Sequence, residues 1–294
     1  MIPTFQRPDE TRAAVASVLT QTAIADGEAT IEILIVDDAS IPPFRLDGAL
    51  AHDPRVRLIR RTRNGGAGAA RNEGVKHARG IWLAFLDSDD TWRADRLSRQ
   101  LALLTADGLN ERLRVIGCGF RLIDEIRHKV RDMIPVEAKT TSRFASACWF
   151  CPGSAVLMRR ETFMSVGFYD ESFRRLEDLD WYLRFGLQGG ELLVVPEVLV
   201  DIHVGKRPSP GKVDSATKRM RGKYLSGGAA LPLSEGRILS AYLALEEAAA
   251  FWHNGKPFAT LVRLMRSWLL VPRLRLHLHN FWRRRSITLP IGRH

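Results

Sequence analysis

The run Ile81-Trp82-Leu83-Ala84-Phe85-Leu86, followed at once by Asp87-Ser88-Asp89-Asp90, constrains this chain more than any other stretch. An apolar run of that length behind Arg79-Gly80 reads as a fully buried strand. Such a strand ejects its acids at the carboxyl edge of an open α/β sheet, where these sheets hold their ligands. Asp87 and Asp89 are two apart, so an extended backbone points both to one side. Two convergent carboxylates need a positive partner, and a divalent cation carrying a diphosphate suits oxygen ligands. The alternative is a helix beginning near Thr91-Trp92 and capped by Asp90. Capping accounts for one acid and leaves two without a role.

The flanking sequence alternates strand and helix patterns. A short strand is predicted over residues 1–5, then a helix opened by Pro8-Asp9-Glu10 with Ala14, Val15, Val18 and Leu19 on one face. A second strand covers 31–36 and ends in Asp37-Asp38, and a third covers 56–59. A glycine-rich turn, a helix over 67–77, the strand over 81–86 and an amphipathic helix over 92–104 follow. This β-α-β-α order predicts an α/β fold with a mostly parallel, Rossmann-like central sheet flanked by helices. Strands are expected near 113–120 and 155–159, and a helix near 176–188. Residues 206–211, with two prolines, read as a linker into a mainly helical extension. The expected division is a domain over 1–204 and a basic extension over 205–294. Met1 enters the first strand almost at once, so either that strand is short or an N-terminal extension is missing.

Charge separates the same two parts. Residues 1–204 are close to neutral at −2, whereas 205–294 carry 17 Lys and Arg against 4 Asp and Glu, a net of +13. Cys118, Cys148 and Cys151 form no disulfide framework. Cys148 and Cys151 have CxxC spacing, but a second pair to complete a zinc site is lacking. No signal peptide opens the sequence, and no apolar run approaches the roughly 18 residues of a membrane span. The expected location is the cytoplasm.

Three further clusters carry chemistry. Asp38, after the second strand, can accept a hydrogen bond from a ribose hydroxyl or a base imide; a simple turn before Pro42-Pro43 explains Asp37-Asp38 equally well. Residues 63–72 form a flexible turn into a helix, suited to anions through glycine backbone, helix terminus and the Arg71 fork. This turn follows the third strand, and Arg71 stands where the dinucleotide fingerprint has its last glycine, which argues against a dehydrogenase. In Glu177-Asp178-Leu179-Asp180-Trp181, Glu177 and Asp180 share a helical face while Asp178 points elsewhere. One carboxylate aimed into a site could serve as a general base; the alternative is a solvated helix start.

Together these pieces resemble the family 2 glycosyltransferases with a GT-A fold over roughly residues 1–204. The matching segments are Ile2-Pro3-Thr4-Phe5-Gln6-Arg7, Val36-Asp37-Asp38-Ala39-Ser40, residues 63–72, residues 85–92 and residues 177–183. The resemblance implies an inverting transfer of sugar from a nucleotide-sugar donor, usually a UDP-sugar, to a glycan or lipid-linked acceptor, in cell-surface polysaccharide biosynthesis. It implies that Pro3, Phe5 and Asp38 line the base pocket, with Thr4, Asn64, Arg71, Asp87 and Ser88 completing the donor site. Asp87 and Asp89 match the DxD-type element, Asp89 being the ligand of Mn²⁺ or Mg²⁺. Asp178 matches the catalytic base, with Glu177 beside it. His203 is a candidate late ligand to the metal, and Gly153-Ser154 borders the acceptor. Gln6 departs from the Asn often found after the aromatic residue.

A non-catalytic nucleotide-sugar-binding module would have little use for both Asp89 and Asp178. A metal-dependent nucleotidyltransferase would place its glycine-rich loop after the first strand, where this chain has Pro-Thr-Phe. In the extension, Arg263, Arg266, Arg273, Arg275, Arg283, Arg284 and Arg285 interleave with Leu264, Trp268, Leu269, Leu270, Leu274, Leu276, Phe281 and Trp282. This pattern suits an anionic membrane surface at the inner face of the cell membrane. Packing on the main domain with arginines reaching water is the alternative; no nucleic acid is expected, since no recognised motif accompanies the charge.

Overall fold

The structure, a computed structural model, describes residues 1–105, 113–126, 128–147, 152–205 and 208–272. Strands β1 (Ile2–Thr4), β2 (Ile33–Asp37) and β3 (Val56–Arg60) pair in parallel in that order. Strands β4 (Trp82–Ala84), β5 (Thr91–Trp92), β6 (Arg114–Asp124), β7 (Lys129–Met133), β8 (Leu157–Arg159) and β9 (Glu191–His203) form a mixed sheet. Its order is β4-β8-β6-β9-β5, with β7 on β6. Met1 joins the two sheets: its amine donates to the Ala84 carbonyl at 2.8 Å, and its carbonyl accepts from the Leu86 N–H at 2.9 Å. That is a parallel bond pattern. The expected parallel sheet thus holds through β3-β2-β1-β4 and again between β6 and β9, while β8, β5 and β7 pair antiparallel.

The helices cover this sheet. Helix α1 (Pro8–Leu19) starts on proline with Asp9 and Glu10 in its first turn and buries Ala14, Val15 and Val18. Helix α2 (Thr22–Ala25) is a single turn, and α3 (Ala67–His77) buries a face of small residues against β1 and β2. At Gly74 a Cβ would stand 3.3 Å from Val36 Cγ2 and 2.3 Å from Met1 Sδ, so glycine there allows the close approach. Helix α4 (Arg96–Thr105) begins four residues later than the sequence predicts, because Thr91-Trp92 pair with Asp201 and Val200 as β5. Helices α5 (Thr141–Ser146), α6 (Arg160–Val166) and α7 (Glu177–Leu187) precede β9, and α8 (Pro210–Leu225), α9 (Leu233–His253) and α10 (Pro257–Leu270) follow it.

The boundary expected at residue 204 marks a change of charge, not a break between cores. Met220, Tyr224, Leu239, Tyr242 and Leu243 from α8 and α9 belong to the same buried cluster as Phe85, Phe144 and Trp181. Asp180 helps to close this junction. It is fully buried, accepts from Arg184 Nε at 3.0 Å and Tyr224 Oη at 2.8 Å, and pairs with Lys223. Helix α10 packs on α9 through buried Thr260 and Ser267. Arg263 stacks over Phe251 at 3.9 Å, the packing use of an arginine. The outer face of α10 leaves Phe258, Leu261, Val262, Met265, Trp268 and Leu269 exposed. Arginines and apolar residues of the extension beyond 272, together with Cys148 and Cys151, lie outside the described residues. Among the described residues, no helix is long and apolar enough to cross a membrane.

Candidate active site

The carboxyl ends of β1, β2 and β4 meet the start of α3 and the start of α7, and the acids gather at that junction. At the end of β2 the two aspartates have separate tasks. Asp37 is fully buried and accepts from the N–H groups of Ser40 at 2.9 Å and Phe44 at 3.2 Å and from Arg60 Nη1 at 3.0 Å. It closes the turn. Asp38 accepts from the N–H of Gly65 at 2.9 Å and of Gly66 at 2.7 Å and pairs with Arg61. Asp38 therefore grips the glycine-rich loop, and Gly66 stands at φ 85°, a conformation that favours glycine. Asn64 donates to the Asp38 carbonyl at 3.3 Å and accepts from Arg174 at 3.3 Å. Phe5 is exposed, whereas Thr4 is buried with its hydroxyl 2.6 Å from that of Thr11. Pro3, the residue before Thr4, pairs with Val36 in β2.

Residues 87–90 form a turn, closed by the Asp90 N–H donating to the Asp87 carbonyl at 3.0 Å. This corrects the extended backbone expected from the sequence, and it sends the three acids to different partners. Asp87 accepts from Arg71 Nη2 at 2.5 Å, Asp89 pairs with Arg7, and Ser88 is buried. Asp90 does not cap a helix. It is buried and accepts from Ser154 Oγ at 2.5 Å and from the His203 N–H at 3.0 Å. Burial drives its carboxyl well above the usual carboxylate range, and the Asp87 charge adds to the effect. Ser154 Oγ also accepts from the Asp87 N–H at 3.0 Å. His203 turns its Nδ1 to Glu125 at 3.0 Å.

Arg71 is the centre of the site. Its guanidinium is 3% exposed, with Nη2 on Asp87 and Nη1 3.6 Å from both Glu177 and Asp178. The Tyr169 ring lies 5.7 Å from it. Glu177 and Asp178 occupy the first turn of α7, after Leu176 at φ 65°. The sequence pairs Glu177 with Asp180, but in the first turn Glu177 and Asp178 both face Arg71 while Asp180 turns to α8. Burial pushes Glu177 up to about 7; the Asp178 charge adds to this and Arg71 opposes it. Burial also raises Asp178, against Arg71 and with Asp87. Acids held nearer neutrality are suited to taking up a proton. Asp87, Glu177 and Asp178 line a cavity of about 880 Å³ together with Gly153, Arg174 and Arg219.

A contact chain unites the candidate residues: Asp38 holds the loop that begins α3, α3 presents Arg71, and Arg71 gathers Asp87, Glu177 and Asp178. Asp89 joins through the turn and through Arg7, the residue before α1. Arg7 and Arg61, to which sequence reasoning gave no role, and Asp90, which it offered only as a helix cap, carry parts of this site. One cue to Arg71 as a hub was legible: it sits among Ala67, Ala70, Gly74 and Val75 on a helix face of small residues, where a charge must be paired. As for a cation, no group of three or more His, Cys, Asp or Glu side chains gathers at ligand distance among the described residues. Mg²⁺ commonly binds one or two carboxylates and completes its shell with substrate phosphates and water. Asp87 and Asp89, 39% and 25% exposed, fit that open mode with oxygen ligands.

Comparison with known proteins is consistent across sequence and fold. The profile of Glycosyl transferase family 2 matches residues 1–167, more than half of the 294-residue chain. The succinoglycan biosynthesis protein ExoO of Rhizobium meliloti (strain 1021) is 48% identical over 88 residues, 30% of this chain and 25% of ExoO. WfgD of Escherichia coli, a UDP-Glc:alpha-D-GlcNAc-diphosphoundecaprenol beta-1,3-glucosyltransferase, is 33% identical over 110 residues, 37% of this chain and 42% of WfgD. The chain thus spans less than half the length of either relative. The crystal structure of S. aureus TarS 1-349 in complex with UDP-GlcNAc superposes with a TM-score of 0.61 at 16% identity, covering 92% of this chain and 80% of that one. At that identity the likeness is one of fold, the GT-A type of mixed α/β sheet flanked by helices.

Proposed function

The chain belongs to glycosyl transferase family 2, and from that premise we propose that it transfers a sugar from a UDP-sugar to a hydroxyl of a glycan or lipid-linked acceptor in surface-polysaccharide assembly. The observation that carries this reading is the buried Arg71 with Asp87, Glu177 and Asp178 around it, open to one cavity at the carboxyl edge of the sheet. The relatives named for polysaccharide and lipid-linked glycan synthesis, and the UDP-GlcNAc complex of a similar fold, support the donor and acceptor classes.

Asp178 is the general base: it takes the proton of the acceptor hydroxyl as that oxygen attacks the anomeric carbon, so a single displacement inverts the configuration. Glu177 shares the charge beside it, and Arg71 keeps both acids ionised enough to act. The glycine loop held by Asp38, with Pro3, Thr4, Phe5 and Asn64, borders the nucleotide, and Ser88 supports the turn beneath the diphosphate. Asp89 and Asp87 are the residues to hold Mn²⁺ or Mg²⁺, with His203 at the end of β9 as the further candidate. Such a cation, when bound with the donor, would neutralise charge developing on the departing diphosphate.

Thermal melting tests the donor site. UDP with Mn²⁺, at about 100 times its dissociation constant, should stabilise the wild type by roughly 2.7 kcal/mol. Asp89→Asn should lose the metal-dependent part of that shift. An equal shift in the variant would remove Asp89 as a ligand.

The exposed apolar face of α10, beside Arg263 and Arg266, favours a peripheral place on an anionic membrane from the cytoplasmic side. Vesicles with anionic headgroups should sediment the protein at low salt, and less so at high salt. Sedimentation equal with neutral and anionic vesicles would exclude the electrostatic part.

A further inference from the structure

A second cavity, about 930 Å³, opens beside the catalytic one, walled by Phe120, Leu122 and Ile202 from the sheet and by Leu245, Trp252 and Leu261 from α9 and α10. The two cavities share Pro152, Arg175, Pro208, Tyr242 and Glu246 along their boundary. Arg174, Arg175, Lys212 and Arg219 line the catalytic cavity from the side of α7 and α8. Arg219 and Lys212 are exposed, and no carboxylate pairs with either among the described residues. The acid pair and the exposed cations thus line one cavity, and the apolar groove adjoins it across the Arg175–Glu246 ion pair.

We propose that this groove takes the hydrocarbon chain of the acceptor, and that Arg219 and Lys212 take the phosphate linking that chain to the sugar. The proposal rests on the glycosyl-transfer reading and specifies its acceptor as a phosphate-linked saccharide on an isoprenoid chain. Continuity is the physical argument. A ligand with its sugar hydroxyl at Asp178 would pass its linking phosphate over the cations before its chain reached Leu245 and Trp252. The acids and cations of one cavity and the apolar wall of the next match the saccharide, phosphate and hydrocarbon parts of such a molecule. A soluble glycan would use the acids and leave the groove without purpose.

The test is binding of a fifteen-carbon isoprenyl diphosphate below its micelle concentration, compared with inorganic diphosphate, followed by calorimetry. Wild type should bind the isoprenyl compound at least tenfold more tightly. Ala249→Trp places a bulky ring in the groove from an exposed position of α9, so the fold should persist; it should erase the advantage of the chain and leave inorganic diphosphate unaffected. Arg219→Glu should weaken both ligands. Equal binding of the two compounds by wild type, or an unchanged advantage in Ala249→Trp, would overturn the proposal. The UDP melting shift is read on the same samples. Loss of that shift with chain binding intact would count against glycosyl transfer, whereas a UDP shift without chain binding would count against the groove alone.

Discussion

Replacing Asp178 with Asn should lower the transfer rate by about 10²- to 10⁴-fold, the range that positioned proton transfer commonly contributes. The shape of Asn is close to that of Asp, so the cavity and Arg71 keep their places while the proton acceptor is gone. The UDP melting shift should survive, because Asp178 is assigned to the acceptor side. Retained transfer in Asp178→Asn would remove the base assignment and move attention to Glu177. A parallel loss of UDP binding would instead make Asp178 part of the donor site.

Replacing Arg71 with Met should have a different signature, with effects on stability and on pH together. Removing one partner of a buried ion pair costs about 3–5 kcal/mol. Asp87 and Asp178 keep contact with solvent, 39% and 32% exposed, so about 2–3 kcal/mol is the expected loss in denaturant unfolding. The pH effect follows from sign. Burial raises both Glu177 and Asp178, and Arg71 is the charge that lowers them. A base works only when ionised, so activity falls as pH drops through its pKa. Without Arg71 that pKa climbs further, and the acid limb of the rate profile should move to higher pH. Arg71→Lys should restore part of this position, since it keeps the charge without the planar fork. A limb that stays in place in Arg71→Met would mean that the guanidinium does not tune the base.

Much of this fold is written in local pattern. The glycine-rich turn and the run of small residues define α3 over Ala67–His77, and the continuous apolar run Ile33–Val36 defines β2. Where tertiary pairing competes with local preference, the sequence misleads. Thr91-Trp92 reads as a helix start, yet β9 offers it a ladder and the helix waits until Arg96. The acids divide in the same way. Asp87, Asp89 and Asp178 stand out in the sequence through their motifs, and the structure brings Asp87 and Asp178 to Arg71 while Asp89 pairs with Arg7. The roles of Asp90 and Asp180 were not legible, because their partners lie elsewhere in the chain: Ser154 and His203 for one, Tyr224 and Lys223 for the other.

The Ser154 hydroxyl spans the Asp87 amide and the Asp90 carboxylate, while the other Asp90 oxygen holds the backbone of His203. Three stretches of chain are thereby latched by Ser154 and Asp90 together. A segment swap that discards this serine therefore also loosens the turn over residues 87–90 and, through Asp90, the end of β9. Variation in what this scaffold recognises must come from positions flanking the latch.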